Sequence, residues 1–295
     1  MLMVHRFNLI ALLAAMLFMA GGCAVKPSGR IFVSERGSID GERVTLWTID
    51  NGQGVKACVM DYGATLVSLE VDGRRGETND LVFGADGWQA GLNDNGTSGA
   101  ITDGHPDFER RVWAGTPFNS TDGFGVRFRL TSPAGESGRP GRVDAEVDYV
   151  LTVEDELRIV MKATAQSATA MGMAHRGVWK LSDQDSVLVN GNRLKFDSNP
   201  PSNGNASEYF LYGDDAPLHL AATVHNASDD PVMSVWTNQP VLRMETTRVD
   251  DALSAVEFQT LSLAALPHSE VRRPDGLLVP GESYRHVVVY RLEPD

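Results

Sequence analysis

The sequence predicts an all-β chain folded as an antiparallel β-sandwich, and three observations predict it. Apolar and polar residues alternate over several runs, the pattern of strands with one face to a core and one to water. Asx-Gly pairs, which accept the positive φ of tight hairpins, punctuate these runs at Asn51-Gly52, Asp72-Gly73, Asp122-Gly123, Asn190-Gly191 and Asp275-Gly276. No long stretch carries helical periodicity, and many short strands with frequent turns make a sandwich or barrel.

The elements follow in chain order. His5 and Arg6 precede an apolar run from Leu9 to Met19. The run is short against the roughly 20 residues of a bilayer-spanning helix and suits a signal peptide over residues 1–22. Ala20, Gly21, Gly22 and Cys23 then resemble a bacterial lipobox, although Leu is preferred where Ala20 stands. That resemblance implies lipidation at Cys23 and attachment to a membrane through the lipid. Ala24 in place of Asp implies sorting to the outer membrane, with the domain facing the periplasm of a bacterial cell envelope. The other reading is ordinary cleavage, with Cys23 an incidental thiol. Residues 23–40 read as a tether, and 41–295 as one domain without repeats. Cys58, in the apolar run Val55 to Met60, reads as a small buried hydrophobe; with Cys23 lipidated it has no disulfide partner. Val126, Phe128 and Leu130 alternate with arginines, and Val143 to Val153 alternates with Asp144, Glu146 and Asp148. The run Tyr284 to Leu292 is apolar on both faces, which predicts a central strand.

Composition bounds the chemistry. The 295 residues are 42% hydrophobic, enough for a real core. A formal net charge of −13 and a pI near 4.9 repel phosphate backbones, so nucleic acid is not an expected partner. The histidines fall in no metal-binding spacing, and neither a glycine-rich phosphate loop nor a nucleophile elbow appears. No metal and no cofactor are therefore expected.

Seven segments, in order, resemble the aldose 1-epimerase (galactose mutarotase) family. Asp61-Tyr62-Gly63-Ala64-Thr65-Leu66-Val67-Ser68-Leu69 is similar to its YGATI-x-SL, and Asn79 to Gly84 to its DVVLGF. Phe108 to Trp113 is similar to FDKRVW, and Phe128 to Glu156 to LTSPDGEEGYPG…YTLT. Thr237-Asn238-Gln239-Pro240 resembles TDQPG, Glu257-Phe258-Gln259 resembles LExQ, and Leu278 to Tyr284 resembles L-x-PGE-x-Y. The resemblance implies a galactose mutarotase-like twisted β-sandwich (a supersandwich) that interconverts sugar anomers: a base takes the proton of the anomeric hydroxyl, an acid protonates the ring oxygen, and the roles reverse.

Carried over by motif, Glu257 is the base and His175 the acid. Around His175 the family has NLTNHTYFNL; here Met171 to Leu181 changes both Asn residues and the aromatic pair, and is one residue longer from the His to the final Leu. The substrate-holding residues depart further. The segment bearing the family's arginine is missing between Gly84 and Phe108, and Thr102 stands near the place of the LHGG histidine. His105 is a candidate substitute, or a loop histidine. Ser207 replaces the Asp of DHNF, with Glu208 beside it as a candidate replacement, and Gln239 is a candidate for the pocket wall. Trp113 and Trp179 are candidates for stacking on a sugar, or core residues. Three readings follow: an anomer-interconverting enzyme, whose His175 and Glu257 converge in one cleft; a membrane-tethered carbohydrate-binding module, with exposed aromatics in that cleft; or an interaction module, with the cleft filled.

Overall fold

The computed structural model describes residues 29–73, 76–83, 100–102, 106–182, 185–189, 192–195, 207–211, 218–248, 253–262 and 277–293. In chain order the strands are β1 (Arg30–Ile39), β2 (Glu42–Asp50), β3 (Val55–Met60), β4 (Thr65–Asp72), β5 (Thr78–Asp80), β6 (Ile101–Thr102), β7 (Ala114–Asn119), β8 (Gly123–Ser132), β9 (Val143–Thr152), β10 (Glu156–Ala165) and β11 (Thr169–Ala170). They continue with β12 (Ala174–His175), β13 (Gly177–Ser182), β14 (Ser186–Val189), β15 (Asn192–Lys195), β16 (Ser207–Phe210), β17 (His219–His225), β18 (Pro231–Thr237), β19 (Val241–Arg248), β20 (Leu253–Leu261), β21 (Leu277–Leu278) and β22 (Tyr284–Leu292). The one α-helix among the described residues, α1, is the single turn Pro106–Glu109.

Three antiparallel sheets carry the architecture. A nine-stranded sheet runs β15-β14-β17-β18-β22-β10-β9-β8-β7, a five-stranded meander runs β1 to β5, and a four-stranded sheet runs β13-β20-β19-β16. As its two apolar faces predict, β22 is central: it pairs with β10 on one side and β18 on the other. Cross-strand register lines up Tyr149, Ile159, Val288 and Thr237 on one face of the large sheet. All four are buried, and the three apolar ones join Phe128 and Tyr290 in a single core that also takes Ile49, Leu66 and Leu69 of the meander and Trp179, Val256 and Phe258 of the small sheet. Alternate positions hold the charges: Arg127 grips Asp148 through two bonds of 2.6 and 2.7 Å, and Lys162 reaches both Glu146 and Asp148 at 3.0 and 3.2 Å.

Two segments differ from the sequence reading. Arg30–Ile39, read as part of a tether, is a strand in register with β2 from Arg30↔Asp50 to Ile39↔Glu42. It is exposed along most of its length, Phe32 and Val33 included, so it lacks the alternation that marks a half-buried strand. The turn between the two strands is Asp40-Gly41, both at positive φ (51° and 86°), the backbone of a two-residue hairpin loop. Cys58 is half-buried, not buried, with its Sγ 3.3 Å from the Thr48 hydroxyl. Cys23 and residues 1–22 lie outside the described residues.

Candidate active site

The small sheet presents two faces. On β20, Val256, Phe258 and Thr260 are buried toward the large sheet, and Glu257 and Gln259 alternate with them on the other side. Direct cross-strand pairing puts Val178 of β13 and Glu245 of β19 on the Glu257 side, and Arg243 beside Gln259. Glu208 of β16 pairs with Arg243, so it joins the same row one strand further out.

The Glu257 carboxylate is held from two directions. Arg176 donates Nε–H to Oε1 at 3.3 Å and Nη2–H to Oε2 at 3.2 Å, a fork that fixes the plane of the carboxylate. Gln259, two residues on along the same face, donates its side-chain amide to Oε1. The pair is largely enclosed, with side-chain exposures of 21% for Arg176 and 18% for Glu257. Glu109 at the end of α1 brings a second carboxylate to 4.0 Å from the guanidinium. Burial disfavours the charged guanidinium, but Glu257, Glu109 and Glu245 together outweigh it and hold its pKa above the ordinary value for arginine.

His175 lies on the opposite side of its strand. Its ring is 1% exposed, sits edge-on to Tyr149 and Tyr290, and shares a 2.9 Å hydrogen bond between Nδ1 and the Tyr290 hydroxyl. Burial raises the pKa of the Tyr290 phenol, and the negative charge of Glu257 adds to the rise, so the phenol keeps its proton. Gly177 shows which residues share that side: a Cβ there would meet Trp179 Nε1 at 2.8 Å, Tyr290 Oη at 2.9 Å and His175 Cε1 at 3.0 Å. Positions 175, 177 and 179 thus face the core, while 176 and 178 face Glu257. The His175 ring turns to Tyr290; the side chain that forks onto Glu257 is Arg176, which the sequence reading passed over. The available signal was the extra residue before Leu181, which moves Arg176 to the spacing that the family motif gives its histidine.

A second histidine stitches the layers beneath the site. His286 of β22, fully buried, donates Nδ1–H to the Met173 carbonyl at 2.7 Å, and its Nε2 lies 2.7 Å from Oγ1 of Thr260 on β20. Tyr284 donates to the same carbonyl at 3.0 Å. Burial pushes the imidazole pKa down to about 4, so it is neutral, with Nδ1 protonated and Nε2 accepting from Thr260. The strand bearing Glu257 and the segment leading to Arg176 are tied to one point.

The remaining candidates are scattered. Trp113 is not a stacking surface: it is 1% exposed, donates Nε1–H to the Phe108 carbonyl at 3.0 Å, and packs edge-on to the Phe108 ring at 5.5 Å. The aromatic pair FxxxxW is a core element, which its apolar size predicted as well as binding. Trp179 is also core, tilted against Tyr290 at 4.4 Å. Gln239 is 7% exposed in the turn between β18 and β19, its side-chain amide donating to Asn238 and its carbonyl accepting from His219 at 3.0 Å. Glu208 is exposed at the edge of the Glu257 face. Thr102, at the register of the family's first histidine, pairs with Ala174. His105 lies outside the described residues. Among the described residues no group of three His, Cys, Asp or Glu side chains has the placement to hold a metal ion.

Comparison with known proteins now gives these residues a context. The family model described as aldose 1-epimerase matches residues 92–291, which include β6 to β21 and most of β22. Human galactose mutarotase is 23% identical over 79% of this chain and 90% of its own length. The Escherichia coli K12 aldose 1-epimerase is 24% identical over 51% of this chain and 52% of its own. Among solved structures, galactose 1-epimerase from Lactobacillus acidophilus superposes with a TM-score of 0.71 at 16% identity, covering 90% of this chain and 99% of that one. A galactose mutarotase-like protein from Clostridium acetobutylicum superposes with a TM-score of 0.62 at 13% identity, with coverages of 90% and 99%. At such identities the superpositions establish the fold, a galactose mutarotase-like β-sandwich, and no more. The family match spans well over half the chain and encloses both Glu257 and Arg176: the chain belongs to the aldose 1-epimerase family.

Proposed function

We propose that this chain interconverts the anomers of a carbohydrate, with Glu257 as the base that takes the proton of the anomeric hydroxyl. The observation that carries the proposal is the Glu257 carboxylate itself. It lies within the family match, at the position of the motif base, and a guanidinium fork and an amide fix its orientation. Fixed geometry is what acid–base catalysis by positioned side chains requires, because misplacement by about 1 Å can cost roughly 10²-fold. The names of the relatives support a sugar as the substrate.

The test is polarimetry of freshly dissolved α-D-glucose and α-D-galactose with wild type and Glu257→Gln. Acceleration over buffer that the substitution abolishes is the expected result; no acceleration with either sugar would refute the activity on simple hexoses. One observation favours a second reading, a carbohydrate-binding module without turnover: His175, the acid implied by resemblance, faces Tyr290 in the core. Under that reading calorimetry detects sugar binding that Glu257→Gln leaves intact, and no rotation change accompanies it.

We also propose that Cys23 carries lipid and holds the domain at the outer membrane of a bacterial envelope, on the strength of the lipobox-like run Ala20 to Cys23. Mass spectrometry of the N-terminal peptide and membrane fractionation of Cys23→Ala test it: release of the variant into the soluble fraction is expected, and an unmodified Cys23 overturns it.

A further inference from the structure

We propose that Arg176 is a catalytic residue of the reaction proposed above, standing opposite the ring oxygen in the place where the family motif puts a histidine acid. The inference rests on the anomer-interconversion reading and deepens it. Three observations carry it. Arg176, between β12 and β13, turns its side chain to Glu257, while His175 turns to Tyr290 on the core side that Gly177 shares. Arg176 is five residues before Leu181, the spacing of the motif histidine, because the chain is one residue longer there. Its guanidinium forks onto Glu257 at 3.2 and 3.3 Å, so base and cation form one unit.

An arginine cannot serve as a titrating acid, since its pKa exceeds about 12, so the chemistry must run differently. Glu257 removes the proton from the anomeric O1–H. The O1–H electron pair forms the carbonyl, and the bond from C1 to the ring oxygen breaks, leaving its pair on that oxygen. The alkoxide so formed needs stabilisation rather than a proton, and a fixed guanidinium supplies it, as a hydrogen-bond donor aimed at developing charge. After rotation about C1–C2 the alkoxide attacks the other face of the carbonyl, and protonated Glu257 returns the proton to O1. No acid is consumed and every proton is accounted for by Glu257. The carboxylates of Glu109 and Glu245 keep the guanidinium charged and in place.

The pH dependence of mutarotation, measured by polarimetry on the full chain from about pH 5 to 9.5 with the buffer rate subtracted, separates this from a histidine-acid reaction. The expected wild-type profile carries no alkaline limb, because the guanidinium stays charged across that range. Arg176→Met loses about 10²–10³-fold in kcat, Arg176→Lys keeps more than Arg176→Met, and millimolar guanidinium restores part of the loss. A bell-shaped wild-type profile whose alkaline limb disappears in His175→Asn overturns the assignment of Arg176 and leaves the activity standing. Arg176→Met within a few fold of wild type does the same. A wild type that does not accelerate mutarotation overturns the activity, and this inference with it. The wild-type profile alone decides between the two mechanisms should a variant fail to fold.

Discussion

Acidifying the protein charges a histidine that the fold gives no water. His286 is fully buried, its Nδ1–H on the Met173 carbonyl and its Nε2 beside the Thr260 hydroxyl, and burial lowers its pKa from 6.5 to about 4. The unfolded chain binds this proton below about pH 6.5, whereas the folded chain resists it until about pH 4. The stabilisation from the neutral form is therefore fully present above the unfolded value and is lost as pH falls toward the folded one. At about 1.4 kcal/mol per pH unit, the loss between those limits is roughly 3 kcal/mol. His286→Gln keeps a donor for Met173 and an acceptor for Thr260 but cannot titrate. The variant is expected to be less stable than wild type by about 1–3 kcal/mol at pH 7, and the gap to narrow by roughly 3 kcal/mol toward pH 4. Urea unfolding followed by tryptophan fluorescence, at half-unit steps of pH and fixed ionic strength, reads this directly. Carboxylates titrate in both proteins and cancel in the difference. Parallel stability curves for wild type and variant would refute the argument.

Three further outcomes follow from the packing. Gly177→Ala places a methyl within 3.0 Å of Trp179, Tyr290 and His175, so it is expected to cost about 1–3 kcal/mol, visible as a lowered thermal midpoint. Trp113→Leu removes a buried ring and its bond to Phe108. It is expected to cost about 2–4 kcal/mol, while the sugar KM of the folded protein stays unchanged; a large rise in KM without loss of stability would return Trp113 to the binding surface. Arg127→Ala deprives Asp148, whose side chain is 8% exposed, of its two-bond partner and leaves it Lys162, which it shares with Glu146, itself also paired with Arg129. A loss of about 1–2 kcal/mol is expected, less than for a fully buried pair because Arg127 is itself a third exposed. The loss should shrink in high salt, measured as the difference in unfolding midpoint.

The large sheet was legible where burial is one-sided or complete. The alternation in β8 and β9, and the two apolar faces of β22, state their positions outright. β1 was not legible, because both of its faces meet solvent and its residues carry no period. The Asp40-Gly41 pair at its hairpin was passed over, though it is of the same Asx-Gly type as the turns read elsewhere. At the site, Glu257 could be placed because a polar residue between buried Val256 and Phe258 must face away from them. His175 could not, because motif identity says nothing of which side of a strand a residue takes, and one inserted residue reverses the side for everything before it. Trp113 and Trp179 were ambiguous in principle: a large aromatic suits a core and a sugar equally.

The central place of β22 has a bearing on how the fold is reached. The strands β7 to β10 form one local stack and β14, β15, β17 and β18 another, and the described ladders connect the two only through β22. Until Tyr284–Leu292 is in position, β10 and β18 each present an open row of backbone donors and acceptors. Placing β22 joins the two half-sheets and closes a loop of more than a hundred residues back to β10, the kind of long-range pairing that slows folding and invites wrong partners. Any chain cut short of Tyr284 is expected to form sticky halves rather than a smaller version of the same sandwich.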